Sequence, residues 1–260
     1  MGSKLRRGWP PLAVILLFLL AWQGVVMYGG IKPYLLPSPV QVVQEALSDK
    51  VWPRLVEHTL ATAQRTLLGL SLGTAAGIVL SMLLHLVPGA RRGLSPMLIL
   101  SQNIPIIVLG PLLMIWLGFG ELPKIVLIVL VCFFPVTVAM MTGLRQSDPR
   151  LANYLAMIGA GRWTMFRRLE LPGAVPYLFS GMKIAAAYSV TSAIVAEWLG
   201  AKSGLGYFIK LSASGFFTAR VLAATGIIVL FSLLLYMLVA AAERWFVRWK
   251  PQGEGGGLQP

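Results

Sequence analysis

The sequence runs to 260 residues, of which 57% are hydrophobic and only 12% charged. A soluble domain carries about twice that charged share, so composition argues against an ordinary water-solvated core and for a chain solvated by lipid. The formal charge of +13 would suggest nucleic acid on a soluble protein; here it reads as an orientation signal, because cytoplasmic loops collect Lys and Arg. Cys132 is the single cysteine, which leaves no internal disulfide and no cysteine-based metal site.

A stretch of about 20 apolar residues crosses a bilayer, and six segments approach or exceed that length. They are 10–30, 66–84, 93–120, 125–144, 171–196 and 221–242, the fifth interrupted by Lys183. The expectation is an all-α polytopic membrane protein with a cytoplasmic N-terminus over 1–9, one transmembrane domain over 10–250 and a disordered Gly-rich tail over 251–260. With the N-terminus inside, the inner segments hold thirteen Lys and Arg and the outer segments seven, which puts both termini in the cytoplasm. The first span has the basic flank of a signal peptide, but it is long and no small-x-small cleavage site follows, so it reads as a retained helix.

After it, Ser38 is placed to cap a helix with Pro39 at its first position. Val42, Val43, Ala46 and Leu47 fall on one side, as in a short amphipathic helix lying along the outer surface; an ordered loop is the plainer alternative. The second span carries Gly69, Gly73 and Gly77, small residues on one face that let a neighbouring helix approach closely. His85 closes it near the inner interface.

The third span holds Pro96, Pro105 and Pro111 with Gln102 and Asn103 among them. Broken backbone at membrane depth is tolerated where it faces protein or a wet cavity, so this segment either lines a path or is a kinked packing helix. Gln102 and Asn103 both donate and accept hydrogen bonds and are candidates for solute contact. Tyr188, Ser189 and Ser192 of the fifth span have the same standing; packing alone would also account for all five. Pro135 kinks the fourth span. A charge inside a span is costly, and Lys183 reads as snorkelling or internally paired rather than path-lining. Glu197, at the outer end of the fifth span, is either an outer-gate anchor or a solvated helix end. Two histidines and scattered acids give no metal constellation.

The most informative stretch is the loop over 145–172. Asp148 caps a helix that starts at Pro149. Leu151, Leu155 and Ile158 make an apolar stripe, and Gly159-Ala160-Gly161 stops it. A second short helix is predicted over 162–169, ending before Leu171-Pro172. The product is a basic, two-helix bracket for a cytoplasmic partner to grip.

This loop resembles the EAA loop of ABC importer permeases, in which a Glu-Ala-Ala triplet is followed by a fixed Gly and a closing Ile-x-Leu-Pro. Gly159 and Leu169 are separated by nine residues, as in that pattern, and Leu171-Pro172 close it. The triplet itself is replaced by Asn153-Tyr154-Leu155. Leu36-Pro37-Ser38-Pro39, Trp116 to Glu121, Gly159 to Trp163 and Gly204-Leu205-Gly206 are similar to the sulfonate, taurine and nitrate branch. Ser101 to Ile107, Cys132 to Pro135 and Glu197 to Ala201 look closer to permeases for thiamine precursors of the hydroxymethylpyrimidine type.

The resemblance implies a type I ABC importer permease fold with six transmembrane helices and a cytoplasmic coupling helix. It implies ATPase contacts at Asn153, Tyr154, Leu155, Ile158, Gly159, Ala160, Gly161, Arg162, Trp163, Leu171 and Pro172. The implied partners are a dimeric ATPase that holds ATP and Mg, an extracytoplasmic solute-binding protein, a second permease copy as a homodimer, and membrane lipid. This chain binds no cofactor in that scheme and no nucleic acid. Ala201-Lys202-Ser203 lacks the Gly pattern of a phosphate-binding loop, so ATP is expected on another polypeptide. An ion-coupled secondary transporter is the competing reading, but no Asp or Glu stands mid-span. An intramembrane enzyme would need a cluster of His or acids that is not visible.

Overall fold

Hydrocarbon offers no water to a peptide group, so a chain of this composition must satisfy its backbone internally. The computed structural model does so with helices. It describes residues 2–87, 89, 93–94, 98, 100 and 103–247, with backbone alone for 2–8 and 10–12, and the described residues contain no strand. Gln102, Pro96 and the 251–260 tail lie outside the described residues.

The helices are α1 (Gly2–Tyr28), α2 (Pro39–Ala46), α3 (Trp52–Leu86), α4 (Ile106–Leu117), α5 (Leu122–Arg145), α6 (Pro149–Met157) and α7 (Arg162–Met165). A π-helical turn, Phe166–Glu170, then leads without a break into α8 (Leu171–Trp198), followed by α9 (Leu205–Ser214) and α10 (Thr218–Phe246). Four continuous runs are long and apolar enough to cross a membrane: α3, α5, the run Arg162–Trp198, and α10. Ala13–Tyr28 and Ile106–Leu117 are apolar but shorter. Six apolar segments are therefore recognisable, and four of them have full spanning length among the described residues.

The chain forms two compact units, Met1–Thr62 with Ala201–Val229, and Ala63–Gly200 with Leu230–Pro260. In the first, Ser38 caps α2 as its sequence predicts. Its hydroxyl accepts from the Gln41 amide, and the Gln41 side chain accepts from the Ser38 amide at 2.9 Å, a reciprocal capping box. Arg220 joins Glu45 at 2.7 Å. The Leu205 amide donates to Thr62 Oγ1 and the Gly204 amide to His58 Nδ1, which gives two of the otherwise orphaned amides at the start of α9 an acceptor.

In the second unit the glycine ladder of α3 packs on α5. A Cβ at Gly69 would fall 2.4 Å from an Ile128 methyl, at Gly73 2.7 Å from the Cys132 Cβ, and at Gly77 2.7 Å from the Phe133 carbonyl. The neighbour anticipated from sequence is thus in the same chain. Gly143 and Gly181 give α8 the same close approach to α5. Without a solvent-driven hydrophobic effect in lipid, this backbone-close packing is what joins the helices. Met140, Leu144, Phe166 and Ala174 form a buried cluster at one end of it.

Candidate functional site

Asp148 Oδ1 accepts from the Arg150 amide at 2.8 Å, and Pro149 takes the first helical position of α6. At the other end the Ala160 amide donates to Leu155 O and the Gly159 amide to Ala156 O. That pair of bonds, with Gly159 at φ +79°, is a Schellman stop. The start and stop of the first bracket helix are therefore those read from sequence. The second differs: α7 does not end before Leu171-Pro172. The Leu171 amide reaches back to Phe166 O, and the widened turn carries the helix past Pro172, whose missing N–H would break a regular turn. The bracket is consequently α6, a glycine corner, and one continuous helical run from Arg162 to Trp198.

Its tip is apolar and uncovered. Met157 is 81% exposed, Trp163 65%, Ile158 62% and Tyr154 58%. Asn153, Gly159, Gly161 and Arg162 are also exposed, while Leu155, Ala160, Leu171 and Pro172 are half-buried. Behind the tip, Trp163 packs on Phe166 with ring centroids 5.6 Å apart, and Phe166 stacks on His85 at 5.9 Å. His85 Nε2 lies 2.7 Å from Glu170 Oε2. Sequence reasoning placed His85 at an interface but missed this link between the end of α3 and the π-helical turn, because the partners are far apart in the chain.

At the opposite end of α8, Glu197 is 1% exposed. Arg65 Nη1 donates to Glu197 Oε1 at 2.9 Å, while its Nε and Nη2 donate to the two Glu121 oxygens at 2.5 and 3.0 Å. Lys124 Nζ donates to Glu121 Oε1 at 2.9 Å. One guanidinium therefore ties α3 to α8 and to the turn before α5. Glu121 stands outside the spanning helices; the Arg65 hydrogen bond, helped by Lys124 and opposed by desolvation, pulls its carboxyl down to about 2. Glu197 was a sequence candidate. Arg65 and Lys124 were counted only as charge, although the Glu121-x-x-Lys124 spacing was a usable signal.

The proposed path residues divide. Ser189 and Ser192 are fully buried and donate to Ala186 O and Ser189 O within their own helix. Tyr188 turns the other way and is 54% exposed. Asn103 is exposed in the turn before α4. Lys183 is paired, 2.8 Å from Glu243. No group of three or more His, Cys, Asp or Glu suited to a metal occurs among the described residues.

Residues 69–248 match the family described as "Binding-protein-dependent transport system inner membrane component". The chain is 32% identical over 240 residues to the formylaminopyrimidine transport permease protein ThiX of Halalkalibacterium halodurans, covering 92% of this chain and 95% of that one. It is 32% identical over 255 residues to the riboflavin transport system permease protein RibX of Chloroflexus aurantiacus, covering 95% and 94%. It is 28% identical over 260 residues to the taurine transport system permease protein TauC of Escherichia coli, covering 95% and 94%. Among solved structures, an inward-facing MetNI methionine ABC transporter covers 78% of this chain and 100% of its own, with TM-score 0.68 and 21% identity. A bacterial ABC transporter for alginate covers 96% and 99% with TM-score 0.58 and 17% identity; both likenesses bear on fold alone. The chain belongs to the family of binding-protein-dependent inner-membrane transport components, as the permease subunit of an ABC importer whose ATPase is a separate subunit.

Proposed function

We propose that this permease carries a small polar solute, a pyrimidine precursor of thiamine, across the inner membrane when its ATPase pulls on the α6–α7 bracket. The observation that carries the coupling half is the uncovered apolar tip: Tyr154, Met157, Ile158 and Trp163 are all more than half exposed, although Trp163 also touches Phe166. A solvent-exposed loop loses by displaying such side chains unless a partner covers them. Asn153, Leu155, Ala160, Gly161 and Arg162 complete the contact, and Leu171 and Pro172 anchor it to α8. ATP and Mg sit on the ATPase. Both termini lie in the cytoplasm, the 10–250 region acts as one transmembrane domain, and two copies form a homodimer around the path.

In this orientation Glu197 is the outer-gate anchor, held by Arg65. Tyr188 faces the path, Asn103 flanks it, and Ser189 and Ser192 stiffen the wall behind it; Gln102 stays a path candidate on its sequence alone. The pyrimidine assignment is supported by the 32% identity to the formylaminopyrimidine permease, which the riboflavin permease equals, and by the resemblance of the sequence strings 101–107, 132–135 and 197–201 to thiamine-precursor permeases. Riboflavin, and a sulfonate, taurine or nitrate, are the alternatives. The test is ATP hydrolysis by the reconstituted complex with binding protein loaded in turn with each compound. Stimulation by the pyrimidine alone is expected; stimulation by taurine alone would overturn the substrate assignment.

A further inference from the structure

Exposed side chains in a membrane protein are not all of one kind. α10 turns Val229, Leu230, Leu233, Leu234, Met237 and Leu238 outward, the bulky apolar composition that suits acyl chains. The uncovered face of α8 is different: Ser180, Ile184, Ala187, Tyr188 and Thr191 lie along it at helical spacing. Small and polar groups at this depth face protein or a wet cavity rather than lipid.

That face opens into a shallow, wide-open and mostly apolar cleft of about 520 Å³, lined by Ser180, Lys183, Ile184, Ala187, Tyr188 and Tyr236. Tyr188 and Tyr236 are each about half exposed, so ring surface is free on both α8 and α10. Lys183 stands 14 residues before Glu197, about 21 Å along the helix at 1.5 Å per residue, well inside the span. Its ammonium is neutralised by Glu243 at 2.8 Å. Glu243 itself stands one residue past the apolar segment over 221–242, so the pair lies toward the end of that segment.

We infer that this cleft is the permease's own solute subsite and that it takes a neutral, planar nitrogen heterocycle; the inference rests on the transport reading above and deepens it. The ring surfaces of Tyr188 and Tyr236 offer stacking to any flat π-system. The tyrosine hydroxyls and the remaining Lys183 N–H groups offer donors; the tyrosine hydroxyls also accept, as does the Ser180 hydroxyl, whose own proton goes to the Pro176 carbonyl. A sulfonate or nitrate drawn to Lys183 meets the Glu243 carboxylate beside it, so net anions gain little. An aminopyrimidine or an isoalloxazine has the required shape and polarity; taurine has neither.

The test uses the complete reconstituted importer in proteoliposomes, with binding protein at saturation and radiolabelled hydroxymethylpyrimidine, riboflavin and taurine as probes. Tyr188→Ala and Tyr236→Ala are expected to slow import of the heterocycle that the wild type carries by about five- to a hundred-fold, the range of one lost ring–aromatic stack. Tyr→Phe at either position should retain most of it, and the alanine variants should still elute as the assembled permease–ATPase complex, which separates lost recognition from misfolding. If either alanine variant fails to assemble, binding of the same heterocycle to the detergent-solubilised permease–ATPase complex is compared between wild type and Tyr188→Leu or Tyr236→Leu: weaker binding by the leucine variants supports the cleft and equal binding overturns it. Wild-type import of riboflavin but not the pyrimidine would overturn the pyrimidine assignment and leave the cleft standing. Import of taurine alone overturns both. Wild-type import of a heterocycle with unchanged rates in both alanine variants overturns the cleft and leaves the transport reading intact.

Discussion

Glu197 and Arg65 show how little slack a charge has at the end of a membrane helix. The carboxylate is 1% exposed, and its guanidinium partner also serves Glu121. Removing one partner of a buried pair strands the other, at a cost of about 3–5 kcal/mol. Arg65→Met should therefore lower the thermal midpoint of the detergent-solubilised permease sharply, and adding Glu197→Gln should restore part of the loss. Glu121 makes a separate prediction. Its carboxyl lies at about 2 in the folded protein against 4.5 ordinarily, so the folded state takes up that proton later than the unfolded chain. Its stabilising effect is full above the ordinary value and disappears as pH falls from there through about 2. The difference in midpoint between wild type and Glu121→Gln should be flat near neutrality and shrink on acidification; a difference that widens in acid would refute this.

At the scale of the element, the bracket combines parts legible in sequence with one that was not. Asp148-Pro149 and Gly159 announce where α6 begins and ends, because capping and positive φ are local chemistry. Leu171-Pro172 announces a helix end that does not occur, because the π-helical turn at Phe166–Glu170 makes room for the proline. That turn leaves α7 and α8 continuous, one helical run from Arg162 to Trp198. Gly159→Leu would force a side chain into φ +79°, and transport per ATP hydrolysed should fall while the membrane-embedded packing survives. His85→Ala removes the Glu170 contact and the ring under Phe166; basal ATPase activity should persist with weaker stimulation by loaded binding protein. In the span itself, Gly73→Leu has no room against Cys132 and should abolish stable expression.

For the whole molecule, composition and span length made the all-helical membrane class plain, and the glycine ladder of α3 forecast a close neighbour without naming it. Pairings between remote segments were not legible: Arg65 with Glu197, His85 with Glu170, and Lys183 with Glu243 join residues that only the packed helices bring together. The same holds for the cleft, since Tyr236 carries no local mark of function. What organises these pieces is a division of labour, with a charged clamp at one end of α8, a cleft along its middle and a partner-seeking tip where its run begins. Met157, the most exposed apolar side chain of that tip at 81%, tests the arrangement most directly. With a photocrosslinking amino acid at Met157 in the reconstituted importer, illumination should yield a permease–ATPase adduct. An adduct with the solute-binding protein, or none with the ATPase, would contradict the account.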